Sequence, residues 1–309
     1  MTRIFDLHAD IGRELMEQKS KGEGISFADR HMKRLAAGGI QYSAAACFFT
    51  GPETWHEMKE MISLTAEQIQ SHAGMILSPD DLKEDGDMAF LLTVEGMCGI
   101  NAHIRKRITW MYEKGVRMAS LTWNDFNLLA TGLGGDPARG LSEEGRRAVK
   151  TMNSLHMIID VSHANEHTFW DLINTSKRPL VASHSNCRKL CPHPRNLTDE
   201  QIIALAEKGG LIGMNSYSRF LSEDAENQNA AMLAKHAAHI ADIVGHTHVA
   251  CGFDFMDFIH FLKEKEETDI CNASMAQNFI EALRREGFSE EETEDIAWRN
   301  AFRFLKDNL

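Results

Sequence analysis

The sequence predicts a (β/α)8 barrel formed by a single domain over residues 1–309. Strand-like runs alternate with amphipathic helical stretches along the chain, and this alternation is typical of parallel strands joined by crossover helices. The runs number eight, which is the count that closes such a barrel. With 309 residues and 43% hydrophobic composition, the chain can bury a large core without disulfides.

Each of the eight apolar runs has the length and β-branched content of a buried strand. In chain order the predicted strands are 3–10, 40–49, 88–96, 116–123, 157–163, 179–184, 210–216 and 248–255. Amphipathic stretches predict helices at 53–73, 103–114, 142–156, 165–176, 198–208, 228–244, 273–286 and 289–306. Capping boxes at Thr198–Gln201 and Ser289–Glu292 mark two of the helix starts.

The charge and the hydropathy of the sequence argue against several classes of binding partner. A net charge of −12 and a pI near 5.7 argue against nucleic acid or an anionic membrane as the main partner. No apolar run approaches the length of a membrane span. The chain opens with MTRIFDLH, which has no signal-peptide pattern, so we expect a cytoplasmic protein.

The six cysteines do not have the spacing of a disulfide framework and are predicted to be free thiols in a reducing compartment. Cys187 and Cys191 lie four residues apart beside His184 and His193. A structural zinc site at these four residues is a weaker alternative, because a second pair at zinc-finger spacing is missing from the sequence.

Five of the strand-like runs end in side chains that bind metals or transfer protons. These side chains are His8 and Asp10, Glu95, His163, His184 and Asp254. A polar group is costly to bury unless it has a partner or a function. Because the carboxyl ends of parallel strands meet at one rim of a barrel, the pattern predicts one shared site and therefore an enzyme.

The residue types at these ends suit a metal centre. His8 and Asp10 project to the same face of a strand and can chelate one divalent ion. Glu95 has two oxygens with which to bridge two cations, and His163 and His184 can hold the second cation. Taken alone, the His8–Asp10 pair is more often a structural hydrogen bond, Glu95 is as often a turn or capping residue, and each histidine is more often structural. The prediction depends on their combination.

Asp254 is placed to exchange a proton with water and with a leaving group, or alternatively to cap the segment that follows it. The stretch Asn124–Gly140 is long and irregular, and loops of this length in compact domains are usually functional. We predict that it forms a lid or wall over the active site.

The other histidines are predicted not to bind metal. His246 and His248 precede the eighth strand and would lie at the opposite face of the barrel from the site. The remaining histidines without convergent partners are His31, His56, His72, His103, His156, His167, His236, His239 and His260.

Six segments, in this order, resemble the membrane (renal) dipeptidase family of zinc peptidases, within the amidohydrolase-type metal barrels. They are DLHAD (6–10), TVEG (93–96), LTWN (121–124), IDVSHAN (159–165), ASHSNCRKLCPHPRN (182–196) and GFDF (252–255). The resemblance covers nearly the whole chain. It implies a (β/α)8 barrel with two Zn²⁺ ions per chain.

The resemblance also implies a role for each matching residue. His8, Asp10 and Glu95 would hold one zinc ion, and Glu95, His163 and His184 the other. Asp254 matches the catalytic carboxylate of the family. Arg195 matches the arginine that binds the C-terminal carboxylate of the substrate, for which a planar guanidinium is well suited.

The chain departs from the family pattern at Trp123. Many members have a histidine at this position, which contacts the substrate carbonyl or its tetrahedral intermediate. Its replacement leaves polarisation of the carbonyl to the zinc ions and Asn124, so Trp123 and Asn124 are both predicted to bind substrate. The glycine-rich GDFDG motif of the family is also altered, to GFDFMD.

The function predicted from these residues is hydrolysis of dipeptides, and the resemblance extends this to substrates with a D-configured C-terminal residue. The expected partner is a small dipeptide, and a homodimer is among the expected assemblies. One alternative keeps the metal site but assigns another amide, a lactone or a β-lactam as substrate. A further alternative, from a different class, is a non-catalytic binding protein.

Overall fold

The computed structural model describes residues 1–259 and 268–309. His260, which the sequence predicted not to bind metal, lies outside the described residues. The chain divides into two compact units. The first unit contains Met1–Asp10, Ser26–Ala44 and Ala182–Leu305, and the second contains Ile11–Ile25, Ala45–Val181 and Lys306–Leu309.

Strands and helices alternate along the described residues. The strands are β1 (Ile4–Ala9), β2 (Ile40–Phe48), β3 (Gly74–Met75), β4 (Ala89–Glu95), β5 (Val116–Ser120), β6 (Ile158–Asp160), β7 (Leu180–Ala182), β8 (Leu211–Met214) and β9 (Val249–Cys251). The helices are α1 (Ile11–Ser20), α2 (Lys33–Ala37), α3 (Trp55–His72), α4 (Ile104–Glu113), α5 (Glu143–Ser154), α6 (Glu166–Thr175), α7 (Asp199–Glu207), α8 (Ser218–Leu221), α9 (Ala230–Val244), α10 (Gln277–Glu286), α11 (Glu290–Glu294) and α12 (Asn300–Asn308).

The sheet of the first unit has the strand order β2–β1–β9–β8, followed by the end of β7. Strands β1 and β9 are parallel with Asp6 opposite Cys251, and β8 and β9 are parallel with Gly213 opposite Ala250. All residues of these three strands are buried, so they form near-continuous apolar runs, as parallel strands covered on both faces do.

In the second unit the order is β7–β6–β5–β4, with β4 also paired to β2 and to the short β3. The registers align the residues at the carboxyl ends of these parallel strands. Glu95 lies opposite Ser120, Ser120 opposite Asp160, and Asp160 opposite Val181. This alignment fixes the position of Glu95 at the end of β4.

All eight predicted strands are present, and β3 is an additional two-residue strand. All eight predicted strands end earlier than predicted, by one to four residues. Strand β6 ends at Asp160 and β9 at Cys251, and three residues beyond these ends His163 and Asp254 have left-handed backbone conformations, with φ of 69° and 60°. A β-strand cannot continue through such a residue.

The eight predicted helices are present with small shifts in their ends, and both predicted capping boxes are confirmed. The predicted helix at 289–306 is divided into α11, a π-helical turn at Asp295–Arg299 and α12. Helices α1, α2 and α8 were not predicted. Among the described residues, we find no helix with the length and hydropathy needed to cross a membrane.

Candidate metal centre

A compact group of metal-binding side chains lies in the first unit, at the ends of β1 and β9. His8 Nε2 lies 3.3 Å from Asp10 Oδ1 and 3.8 Å from Asp254 Oδ1. The three potential ligand atoms are all within 4.8 Å of one another. Two carboxylates and an imidazole this close together, with His8 and Asp10 buried, fit a divalent cation.

Asp6 holds the two chain segments of this group together. Its Oδ1 accepts hydrogen bonds from the backbone N–H of Phe253, at 2.9 Å, and of His8, at 3.3 Å. Burial raises the pKa of Asp6 to about 7, against the lowering effect of these two bonds and of His8. The Asp254 N–H in turn donates to the His8 carbonyl at 3.2 Å, so the left-handed turn at Asp254 is tied to β1.

Asn215, which follows β8 directly, was not singled out from the sequence. Its side-chain Nδ2 donates to Asp254 Oδ2 at 3.1 Å and to the His184 carbonyl at 3.4 Å. The residue is fully buried. A polar residue at the end of the apolar run 210–216 was the available signal, since the other site residues were found by the same pattern.

His184 lies against His8 in the first unit, with 3.8 Å between their ring centroids. The preceding residue, Ser183, has its Oγ 2.7 Å from His184 Nδ1. Gly213 and Gly252 pack against the backbone of Ser183, and a Cβ atom at these positions would lie only 2.0 and 1.8 Å from the Ser183 carbonyl oxygen. The two glycines therefore allow the close backbone approach on which the position of Ser183 depends.

Arg195 is buried next to His184, with 7% of its surface exposed. Its Nη2 lies 3.5 Å from the His184 carbonyl oxygen, and its guanidinium carbon lies 5.4 Å from the centre of the Phe220 ring. The stacked ring restricts the orientation of the guanidinium. A buried, oriented guanidinium beside His184 is suited to bind a carboxylate.

In the second unit, Glu95 and His163 lie in direct contact. His163 Nε2 is 2.6 Å from Glu95 Oε1, and His163 Nδ1 is 2.9 Å from Asn124 Oδ1. The Asn124 and Glu95 oxygens only accept hydrogen bonds. A neutral His163 ring carries a hydrogen on one nitrogen only, so the lone pair of its other nitrogen would face one of these oxygens and be repelled by it. A proton or a cation between His163 and Glu95 removes this repulsion, and the pair therefore also fits a metal.

Trp123 forms an aromatic surface beside His163 in the second unit. The two ring centroids are 6.1 Å apart, and the Trp123 ring is 5.1 Å from that of Phe48. The backbone of Gly96 packs close to this aromatic surface. Its φ of 83° favours glycine, and a Cβ atom added there would lie 3.1 Å from the Phe49 carbonyl oxygen. An apolar ring thus occupies the position at which many members of the resembled family have a histidine.

The cysteines and the excluded histidines have other partners. Cys187 Sγ lies 3.0 Å from His236 Nδ1, and burial raises the pKa of Cys187 to about 12. All six cysteines are free thiols, as predicted. The candidate metal-binding groups found in residues 1–259 and 268–309 include neither Cys187 nor Cys191, so the alternative of a structural zinc site there is not supported.

His246 bonds Asp295, and His248 bonds the Gly210 carbonyl.

The family model for membrane dipeptidase, peptidase family M19, matches residues 1–308 of this sequence. The chain belongs to the membrane dipeptidase family. It is a metal-dependent dipeptidase, and the resemblance found in its motifs is confirmed.

Two curated relatives are similar to this chain over most of its length. An uncharacterised protein in the 5′ region of pqqA of Klebsiella pneumoniae is 34% identical over 262 residues, which are 81% of this chain and 93% of that protein. The dipeptidase aclJ of Aspergillus oryzae is 31% identical over 276 residues, which are 87% of this chain and 63% of that protein.

Two solved structures show the fold. A metallopeptidase from Rhodobacter sphaeroides, liganded with a phosphinate mimic of the dipeptide L-Ala-D-Ala, has a TM-score of 0.85 at 23% identity and covers 100% of this chain and 99% of its own. The dipeptidase AC, of family M19, also has a TM-score of 0.85, at 24% identity, and covers 99% of this chain and 98% of its own. These likenesses confirm the predicted (β/α)8 barrel class.

Proposed function

We propose that this dipeptidase is a binuclear zinc enzyme that cleaves dipeptides with a free C-terminal carboxylate, including those with a D-configured C-terminal residue. The observation that carries this proposal is Arg195, buried with its guanidinium beside the carbonyl of His184. A fixed cation at a metal-binding residue selects substrates whose carboxylate lies close to the scissile bond. The dipeptide mimic bound to the Rhodobacter sphaeroides metallopeptidase supports the D-configured substrate.

Five residues would hold the metals. We assign His8 and Asp10 to one zinc ion, His163 and His184 to the other, and Glu95 to both. The side-chain geometry within each unit supports the His8–Asp10 and Glu95–His163 groups, and the TVEG motif supports the shared carboxylate. When bound, zinc ions supply charge stabilisation for a developing oxyanion and lower the pKa of water.

The chain's own residues provide binding and proton transfer. Arg195 pairs with the C-terminal carboxylate of the dipeptide, and Trp123 contacts the substrate near His163. Asp254 accepts a proton from the attacking water and delivers it to the departing amine. Asn215 donates to Asp254 Oδ2, and Oδ1 is the oxygen nearer His8.

Metal analysis combined with a substrate panel tests this function. We expect two zinc ions per chain by elemental analysis, and turnover of dipeptides with L- and D-configured C-terminal residues. The panel includes lactones and cyclic amides, the substrates of the alternative function. Preferential turnover of those compounds, or no turnover of dipeptides by zinc-loaded protein, would overturn the proposed function.

Several expectations from the sequence stay predictions: the roles of the site residues, the lid or wall at Asn124–Gly140, the cytoplasmic location, the homodimer, and a single domain over residues 1–309.

A further inference from the structure

The Asn124 side chain contacts His163 directly. Its Oδ1 lies 2.9 Å from His163 Nδ1. An amide oxygen accepts and never donates, so the hydrogen in this contact belongs to Nδ1 of the ring. In a neutral imidazole only one nitrogen carries a hydrogen, and Nε2 is then left with the lone pair that a metal requires.

We propose that Asn124 is a positioning residue that holds His163 in the tautomer and ring orientation required for metal binding, and that it does not bind substrate. The inference rests on the proposed role of His163 as a metal ligand. It changes the role predicted from the sequence, in which Asn124 contacts the substrate carbonyl. Hydrogen bonds of this kind to the second nitrogen of a histidine ligand orient the ring and increase its basicity.

The ring geometry agrees with this role. Nε2, the nitrogen on the other side of the ring from the Asn124 contact, is the one that lies 2.6 Å from Glu95 Oε1. The Asn124 bond therefore directs the lone pair of His163 toward the carboxylate with which it would share a metal ion. Rotation of the ring by 180° would lose this arrangement.

The loop that carries Asn124 also fixes the backbone of His163. The Leu133 N–H donates to the His163 carbonyl at 3.1 Å, and the Gly134 N–H donates to the Asn124 carbonyl. The loop thus contacts His163 through both its side chain and its carbonyl. His163 has φ 69°, and a non-glycine residue keeps such a conformation only where its surroundings impose it.

His184 has an equivalent contact in the first unit. Its Nδ1 lies 2.7 Å from Ser183 Oγ, so in both histidines the same ring nitrogen contacts a neutral side chain. A hydroxyl can accept a hydrogen from Nδ1, and in that tautomer Nε2 is available to the metal in His184 as in His163. This agreement is expected if both contacts serve to orient ligands.

The test measures zinc affinity without substrate, by competition with a chromophoric chelator. In Asn124→Leu, which has a similar size but no acceptor, we expect one zinc dissociation constant to rise about 10–100-fold. Asn124→Asp keeps an acceptor on Nδ1 and should restore the affinity to within a few-fold of the wild type. In a His163→Ala background, Asn124→Leu should cause no further loss, because the two residues act through one interaction.

Asn127→Leu is the matched control, since Asn127 lies in the same loop and its side chain bonds backbone groups of the described residues, those of Leu121, Leu129 and Ala130. It should lower the melting temperature and leave zinc affinity unchanged. Unchanged zinc affinity in Asn124→Leu together with a raised KM would overturn the inference in favour of a substrate contact. Loss of zinc affinity in Asn124→Asp would also overturn it.

The outcome is separable from that of the proposed function. If Asn124→Leu weakens zinc binding and the wild type does not cleave dipeptides, the proposed substrate is wrong and the positioning role stands. If the wild type cleaves dipeptides and Asn124→Leu binds zinc normally, the proposed substrate stands and the positioning role is wrong.

Discussion

His8 and His236 are both fully buried histidines of the first unit, but their surroundings differ. His8 Nε2 faces two carboxylates, Asp10 at 3.3 Å and Asp254 at 3.8 Å. His236 Nε2 bonds the Leu221 carbonyl at 2.9 Å, and its Nδ1 accepts the Cys187 backbone N–H at 3.2 Å. The first environment favours a positive charge on or beside the ring, and the second favours an uncharged ring.

The comparison shows that burial alone does not identify a functional histidine. The backbone donor and acceptor around His236 satisfy both ring nitrogens of a neutral imidazole, and burial lowers its pKa to about 4. The two carboxylates near His8 repel each other, and a cation beside them stabilises both. The kind of partner, and not the depth of burial, separates the metal site from the protein core.

The largest effect on kcat is expected from Asp254→Asn, which removes the proposed proton acceptor beside His8. We expect kcat to fall about 10²–10⁴-fold, the range that a positioned general acid or base contributes, with zinc content unchanged. Asp242→Asn, on the exposed side of α9, makes the same change in charge and should leave kcat unaffected. If Asp254→Asn lost zinc, Asp254 would instead be a metal ligand. His236 would then be compared with a group of three ligands, His8, Asp10 and Asp254.

A smaller effect is expected from Arg195→Ala, which tests whether this group binds a substrate carboxylate. A hydrogen bond to a charged group is worth about 1.5–3 kcal/mol, so KM for dipeptides should rise roughly 10–100-fold. Arg195→Lys should restore part of the loss. Dipeptide amides, which lack the carboxylate, provide the control, because the wild type and Arg195→Ala should cleave them equally. A selective loss of activity on the dipeptide amides in Arg195→Ala would contradict the proposed contact between Arg195 and the substrate carboxylate.

The sequence predicted the eight strands because short apolar runs are visible in one dimension. The roles of the His, Asp and Glu residues that end these runs stay a prediction. The sequence did not predict the left-handed turns at His163 and Asp254, because both are non-glycine residues whose conformation is imposed by contacts distant in sequence. The Asn124–His163 bond joins residues 39 positions apart. His236 was predicted not to bind metal, and the structure shows that two backbone groups contact its ring nitrogens.

The smallest effect concerns the pH dependence of stability, and it tests the other half of the comparison. The pKa of His236 is lowered to about 4 from 6.5, mainly by burial, so the unfolded chain binds the proton more readily than the folded protein. The stability contributed by the neutral ring is fully present above pH 6.5 and is lost as the pH falls toward 4, by about 3 kcal/mol in total.

Urea unfolding of the metal-free protein, measured at intervals between pH 7 and pH 4, checks this prediction. His236→Gln keeps a neutral amide at this position and should reduce the loss of stability across that interval, although it lowers stability at pH 7. The exposed His56→Gln should leave the pH dependence as in the wild type. An unchanged pH dependence in His236→Gln would mean that His236 is not held neutral by the core, and the contrast with His8 would lose its physical basis.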